Sequence, residues 1–318
     1  MLGFSHGRAM SGANVIAGVV QVLGAVAVAP LIPGVVQWLK ARLQGRRGAS
    51  PLQPYRELAR LWRKSVVDPE GTGPIYRSAP AIVAASLVLA CLLVPIAGRS
   101  PDWPVGHDAL VLLGFLALAR FAAAAAAWDT GSGFALQGAS RDLAIGVAAE
   151  AVLILALATA AVAGSTTDLR GMAVATAGGH VWSNPAQTLA LLAFVLVILA
   201  ETGRQPIDNP DTHLELTMIH EGPLLEYAGR DLALLQWAMA ARHWLVLALA
   251  AGIFLPHPSG FAAGVLLLPV GIGVLAVALA VVETLVAKLR ILLVPGLLGV
   301  GAGVALLSVL TRLVEAGR

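Results

Sequence analysis

In FAAGVLLLPVGIGVLAVALAVVETLVA, residues Phe261–Ala287, a single side chain, Glu283, is ionisable. An α-helix of about 20 apolar residues crosses the hydrocarbon core of a bilayer, and this run is longer than that. Seven other stretches qualify or nearly do: approximately Asn14–Trp38, Ala79–Ile96, Asp108–Ala127, Leu143–Ala163, Pro185–Ala200, Leu232–Leu255 and Ile291–Leu313. The fifth in chain order, Pro185–Ala200, is the shortest. Composition points the same way. The chain of 318 residues is 58% hydrophobic and 12% charged, whereas about a quarter of a soluble domain is charged. The expectation is an all-α, multi-pass membrane bundle of about eight transmembrane helices, with residues 1–318 forming a single membrane domain. Trp38, Trp103, Trp128 and Trp182 fall near proposed helix ends, at headgroup level, where indoles are favoured.

Lys and Arg set the expected orientation. The loop after the first span carries Lys40, Arg42, Arg46, Arg47, Arg56, Arg60, Arg63, Lys64 and Arg77. Excess positive charge marks the cytoplasmic side, so the N-terminus is expected outside, in a cytoplasmic (inner) membrane of a bacterium or archaeon. Arg141, Arg204, Arg230, Lys288 and Arg290 then fall inside, and Arg8, Arg99, Arg170, Arg312 and Arg318 outside. Ala25-Val26-Ala27 and Ala27-Val28-Ala29 mimic a signal-peptidase site. The apolar run continues past them, and cleavage would place the most basic loop on the wrong side.

Redox and metal chemistry within the chain is not expected. The single cysteine, Cys91, lies in an apolar run and cannot alone hold zinc or an iron–sulfur cluster. The histidines, His6, His107, His180, His213, His220, His243 and His257, are scattered, with no pair spaced on one helix to sandwich a porphyrin. Gly299, Gly301 and Gly303 resemble a fragment of a nucleotide loop but sit inside an apolar helix with no preceding strand. Nothing points to nucleic acid.

Two inside segments are unlike ordinary loops. In residues 41–70, Ser50-Pro51 is a helix-start signal. Leu52, Tyr55, Leu58, Leu61 and Trp62 then share one face, and Arg56, Glu57, Arg60, Arg63 and Lys64 the other. A basic amphipathic helix of this kind lies in the membrane interface or packs on a partner; the alternative is a loop that only sets topology. Arg42, Arg46 and Arg47 are the candidates for docking a soluble arm. Residues 201–231 concentrate Glu201, Asp208, Asp211, Glu215, Glu221, Glu226 and Asp231 among apolar residues, with Pro206, Pro210 and Pro223 preventing one continuous helix. This reads as a partly buried acidic loop rather than a merely acidic surface. Glu150, Arg242, His243 and Glu283 fall within proposed spans, where ionisable groups mark ion or proton paths or pair structurally. Arg204, three residues after Glu201, is placed to lower one carboxylate pKa while burial raises others.

The strings ARLQGRRG (Ala41–Gly48), LQP (Leu52–Pro54), ETGRQPIDNP (Glu201–Pro210) and EYAG (Glu226–Gly229) resemble the subunit 1 family of respiratory complex I and its relatives in energy-converting [NiFe] hydrogenases. Complex I members typically read E-T-N-R-x-P-F-D-x-P followed by T-E-Y-S-G. Here THLELTMIHE follows Asp208-Asn209-Pro210, the stretch before EYAG is longer, and that between RRG and LQP is shorter. These features resemble the hydrogenase branch, formate hydrogenlyase subunit 4 and hydrogenase-4 component C. Complex I members also usually carry a glutamate shortly after E-Y-S-G, where this chain has Gln236, Trp237, Ala238 and Met239.

The resemblance implies an eight-helix, non-catalytic membrane subunit that binds no cofactor itself. It would anchor a peripheral arm and convert electron transfer into proton movement. The implied partners are [NiFe] hydrogenase large and small subunits and an iron–sulfur subunit, which carry the [NiFe] centre and clusters, together with antiporter-like membrane subunits and the lipid bilayer. The implied coupling residues are Glu150, Glu201, Asp208, Glu215, Glu221, Glu226 and Glu283, with Arg204, Arg242 and His220 as basic partners. The competing readings are a quinone-site subunit of complex I, a stand-alone secondary transporter, for which no internal repeat is evident, and a passive scaffold.

Overall fold

A computed structural model describes residues 12–95, 107–177, 184–209, 218–256 and 261–317. In chain order the α-helices are α1 (Gly12–Val28), α2 (Leu31–Leu43), α3 (Gln53–Trp62), α4 (Pro74–Leu93), α5 (Ala109–Asp129), α6 (Gly133–Gly164), α7 (Leu169–Thr176), α8 (Pro185–Glu201), α9 (Gly229–Ile253), α10 (Phe261–Leu285) and α11 (Val294–Ala316). No strand occurs among the described residues. Among the described residues, seven helical segments are long and apolar enough to cross a membrane: Gln21–Leu43, α4, α5, α6, α9, Leu266–Leu285 and Ile291–Ala316. The one remaining expected span, the fifth in chain order, is α8, whose 17 residues lie at the short end of the spanning range. The chain is a multi-pass, all-α membrane bundle.

The first expected span is interrupted. Pro30 lies between α1 and α2, both of which belong to one crossing. The apolar pattern predicts a fourth span from Leu143, but α6 starts ten residues earlier, at Gly133. The basic amphipathic helix starts at Gln53, with Pro54 in its first turn. Ser50 instead closes a preceding turn, its Oγ accepting from Leu52 N at 3.3 Å.

Helix ends are fixed by side chains the sequence supplies locally. Asp108, Asp168 and Asn184 cap α5, α7 and α8 through their side-chain oxygens, supplying acceptors to otherwise orphaned N–H groups. Asp129, at the far end of α5, accepts from Gly73 N and Tyr76 N, each at 2.9 Å, and so caps α4 from a neighbouring element.

The core is built mainly from small residues, which let membrane helices approach closely. Ala119, Ala149, Ala190, Ala193, Ala241 and Ala248 are fully enclosed. α4 packs on α5, and α6, α8 and α11 form a second group. α3 lies against α2 and α9, and α10 against the same two helices. The EYAG segment is pinned to α4 by Tyr76 and Tyr227, whose rings stack with centroids 4.2 Å apart. Tyr76 Oη donates to Glu226 O at 2.8 Å, and Tyr227 Oη to Tyr76 O at 2.9 Å.

Candidate functional site: a buried ionic network beside two cavities

The local sequence at the end of α8 positions the site. Glu201 is the last helical residue, and Gly203 follows with φ +60°. Gly203 N donates to Ala200 O and Arg204 N to Leu199 O, the paired bonds of a Schellman ending, which places glycine in the left-handed region. Asparagine, found here in the complex I pattern, is the other residue that tolerates that conformation. The turn sends Glu201 and Arg204 to different partners.

Glu201 is 2% exposed and faces Arg120 from the middle of α5. Arg120 Nη2 donates to Glu201 Oε1 at 2.7 Å and Oε2 at 2.8 Å. Its Nη1 donates to Glu150, and its Nε lies 3.7 Å from Asp142 Oδ2. Arg242 of α9 approaches Glu201 Oε2 at 3.5 Å. Two guanidiniums therefore meet three carboxylates. A carboxylate at a helix C-terminus is opposed by the helix dipole, and the two arginines offset that repulsion. Gly146 of α6 makes room for the centre of this cluster: a Cβ there would come within 2.2 Å of Arg120 Cζ.

A second cluster sits around Asp208. Its carboxylate accepts from Lys288 Nζ at 2.8 Å and from Asn209 N at 2.8 Å. His220 Nδ1 lies 3.5 Å from Asp208 Oδ2, while His220 Nε2 lies 3.5 Å from Asp142 Oδ1. Burial alone would raise the Asp208 carboxyl, but His220 and Lys288 outweigh it and hold the group well below the usual carboxylate range. Burial alone would lower the His220 imidazole; Asp208 and Asp142 outweigh it and raise it above its ordinary value. In a third cluster, Glu283 Oε1 is 3.3 Å from Arg204 Nη1 and Glu283 Oε2 is 3.5 Å from Lys40 Nζ.

Two cavities adjoin these clusters. The larger, about 270 Å³, lies between α2, α3, α9 and the loop after α8; its walls include Gln37, Gln53, Glu57, Arg204, Asp208, His220, Glu221 and His243. The smaller, about 70 Å³, is walled by Arg120, Asp142, Glu201, His220 and Arg242. Among the described residues, no group of three or more His, Cys, Asp or Glu side chains is arranged to hold a metal ion.

Of the residues singled out by sequence, Glu150 and Glu201 converge on Arg120, Arg242 meets Glu201, Asp208 meets His220 and Glu283 meets Arg204. The carboxylate that Arg204 meets is Glu283, to which the glycine turn carries it, rather than its sequence neighbour Glu201. Glu221 lines the larger cavity. Glu226 contributes its backbone carbonyl to Tyr76, and its carboxylate has no ion-pair partner among the described residues. Glu215 lies outside the described residues. Arg42, Arg46 and Arg47 are exposed, with Arg42 over the Trp38 ring at 5.4 Å.

Sequence reasoning missed Arg120, Asp142 and the inward role of Lys40. Arg120 stands in the apolar run Asp108–Ala127, and a charge there is as costly as the ones singled out. Asp142 is hidden in the sequence because the apolar pattern begins one residue after it. Lys40 reads as a loop charge, yet it is 6% exposed.

A family profile described as NADH dehydrogenase matches residues 16–311. Formate hydrogenlyase subunit 4 of Escherichia coli (strain K12) is 32% identical over 303 residues, covering 92% of this chain and 97% of that protein. Hydrogenase-4 component C of the same organism is 34% identical over 228 residues, 71% of each chain. In fold, the chain resembles one from the membrane-bound sulfane sulfur reductase (MBS), an archaeal respiratory membrane complex. The TM-score is 0.79 at 20% identity, covering 94% of this chain and 99% of that one. The subunit 1 motifs, the helical bundle and the match across nearly the whole chain agree: the protein belongs to the NADH dehydrogenase family of complex I subunit 1-like membrane proteins.

Proposed function

We propose that this chain is the membrane-anchoring and proton-coupling subunit of a complex I-like [NiFe] hydrogenase of the formate hydrogenlyase or hydrogenase-4 kind. The observation that carries the reading is the convergence of Asp142, Glu150 and Glu201 on one buried arginine, Arg120, beside a cavity. Charges this deep are costly unless they serve a pathway or a strong pairing. Three carboxylates against two guanidiniums leave one acid in excess, and that excess can take up a proton when a neighbouring charge changes. Electron transfer in a peripheral arm supplies such a change. The names of the two Escherichia coli relatives favour the hydrogenase branch.

On this reading the partners are [NiFe] large and small subunits, an iron–sulfur subunit and antiporter-like membrane subunits, and they hold the [NiFe] centre and clusters. The basic end with α3 faces the cytoplasm of a bacterium or archaeon, and the N-terminus faces outward. The test is hydrogenase activity and pH change in sealed inner-membrane vesicles carrying Glu201→Gln or Glu283→Gln, with assembly measured separately. Assembled complexes with lost or diminished proton movement support coupling; parental activity and proton movement in both variants leave a passive scaffold.

A second reading, a quinone-site subunit of an NADH-quinone oxidoreductase, is favoured by one observation. The 270 Å³ cavity sets apolar side chains such as Leu58, Met218 and Met239 beside polar ones such as Gln37 and His243, a mixture that small-molecule sites use for burial and orientation. Quinone-dependent oxidation of NADH by the intact complex would select it.

A further inference from the structure

We propose that His220 is a proton gate between the two cavities, taking a proton on the Asp208 side and releasing it on the Asp142 side. The inference rests on the proton-coupling reading and adds to it the group through which the two halves of the network communicate.

The first argument is position. The 270 Å³ cavity holds Asp208 and Arg204; the 70 Å³ cavity holds Arg120, Asp142 and Glu201. His220 is the single titratable residue common to both walls among the described residues. The smaller cavity has room for roughly two to five waters, enough to reach its carboxylates without a second protein relay.

The second argument is geometry. The two ring nitrogens face opposite carboxylates, each at 3.5 Å. That is longer than the roughly 2.6–3.2 Å at which proton transfer proceeds, so a small ring displacement closes one contact while opening the other. The ring is held from one side by the turn at Gly203, where a Cβ would sit 2.8 Å from Nδ1. Backbone N–H groups of Ile219 and His220 point at the Asp208 carboxylate at 3.3 and 3.4 Å, which ties the histidine's own backbone to its partner.

The surrounding charges suit a group that must both gain and lose a proton. Asp142 faces the ring from α6, and Asp208, backed by Lys288, from the loop. Arg242 of α9 opposes a positive ring, whereas the two aspartates favour one. Glu201, at the end of α8, lies in the same field. Histidine is the side chain whose ordinary titration lies nearest neutral pH.

The proton balance is simple. Starting with hydrogen on Nε2, the ring accepts a proton at Nδ1 from a protonated water in the larger cavity, which is left as neutral water, and becomes imidazolium. The Nε2 proton then passes to the Asp142 carboxylate, leaving a neutral ring with hydrogen on Nδ1. Rotation of the neutral ring carries the remaining N–H to the Asp142 side and the bare nitrogen to the Asp208 side, and the next cycle runs with the two nitrogens in exchanged roles. One proton enters, one leaves, and nothing is oxidised or reduced.

The experiment uses the intact complex in sealed vesicles carrying His220→Ala or His220→Gln. Both are expected to assemble and to move protons slower by on the order of a hundredfold, the scale of a lost acid–base group. Free imidazole, small enough for the 270 Å³ cavity, is expected to restore proton movement to His220→Ala in proportion to its concentration. Parental proton movement in His220→Gln overturns the gate, as does a His220→Ala defect that imidazole leaves unchanged. If His220→Ala fails to assemble, His220→Gln decides. A defect in Glu201→Gln with normal His220→Gln removes the gate alone; normal behaviour in both removes the coupling reading.

Discussion

Arg120 Nη2 donates to both carboxylate oxygens of Glu201, at 2.7 and 2.8 Å, with the arginine side chain 3% exposed and the glutamate fully enclosed. The bond joins the middle of α5 to the end of α8, two elements far apart in sequence. Removing one partner of a buried pair leaves an uncompensated charge, at a cost of about 3–5 kcal/mol. Arg120→Met is therefore expected to destabilise the detergent-solubilised protein on that scale. Arg120→Met combined with Glu201→Gln should lose less, because one of the three carboxylates facing the gap is then neutral. Thermal unfolding of the single and double variants checks this; equal losses would mean that the two side chains are not energetically coupled.

Gly146→Ala should disturb the same cluster without touching a charge. The added methyl would meet the Arg120 guanidinium, and overpacking of this kind costs about 1–3 kcal/mol. Gly299→Ala, where nothing lies within 4 Å of the added Cβ, is the matched control. It should be neutral or slightly stabilising, since alanine favours helix over glycine by about 1 kcal/mol. Unfolding midpoints of the two variants side by side give the comparison.

Lys40 and Glu283 tie α2 to α10 at 3.5 Å. Lys40→Met should destabilise the protein less than Arg120→Met, because Arg204 still faces Glu283 at 3.3 Å. A larger loss for Lys40→Met would show that Arg204 does not compensate.

The pH dependence of stability should have two separable limbs. Asp208 has a lowered folded pKa, so its contribution is present above the ordinary carboxylate value of about 3.9. It is lost as pH falls from there through the folded value. His220 has a raised folded pKa, so its contribution is full below about 6.5 and is lost as pH rises through the folded value. Asp208→Asn is expected to flatten the acid limb and His220→Gln the neutral-to-alkaline limb. Each change is read from unfolding temperature against pH, and an unchanged limb refutes the corresponding assignment.

Arg42, Arg46 and Arg47 are exposed beside α3, where guanidiniums can pair with partner carboxylates or anionic lipid. Replacing all three with glutamine should release peripheral subunits from washed membranes while leaving the chain inserted. Retention of the peripheral subunits with parental activity would restrict these residues to setting topology.

Much of the fold is legible in the sequence because a bilayer imposes a one-dimensional rule. A backbone in hydrocarbon must satisfy its own hydrogen bonds, so length and apolarity alone identify helices such as α10 and α11. The ETGR turn is legible for a local reason: a helix ending needs a residue that tolerates positive φ, and Gly203 provides it. Partner choice is not legible. Arg141 lies nine residues from Glu150 on the same helix, yet Glu150 meets Arg120 from α5. Arg204 stands beside Glu201 in sequence, yet a single glycine turn carries it to Glu283. Sequence determined that buried charges existed, because a charge in an apolar run is visible at sight. Which charges meet was decided only by how the helices pack, since a contact of about 3 Å depends on the rotation and depth of two helices at once.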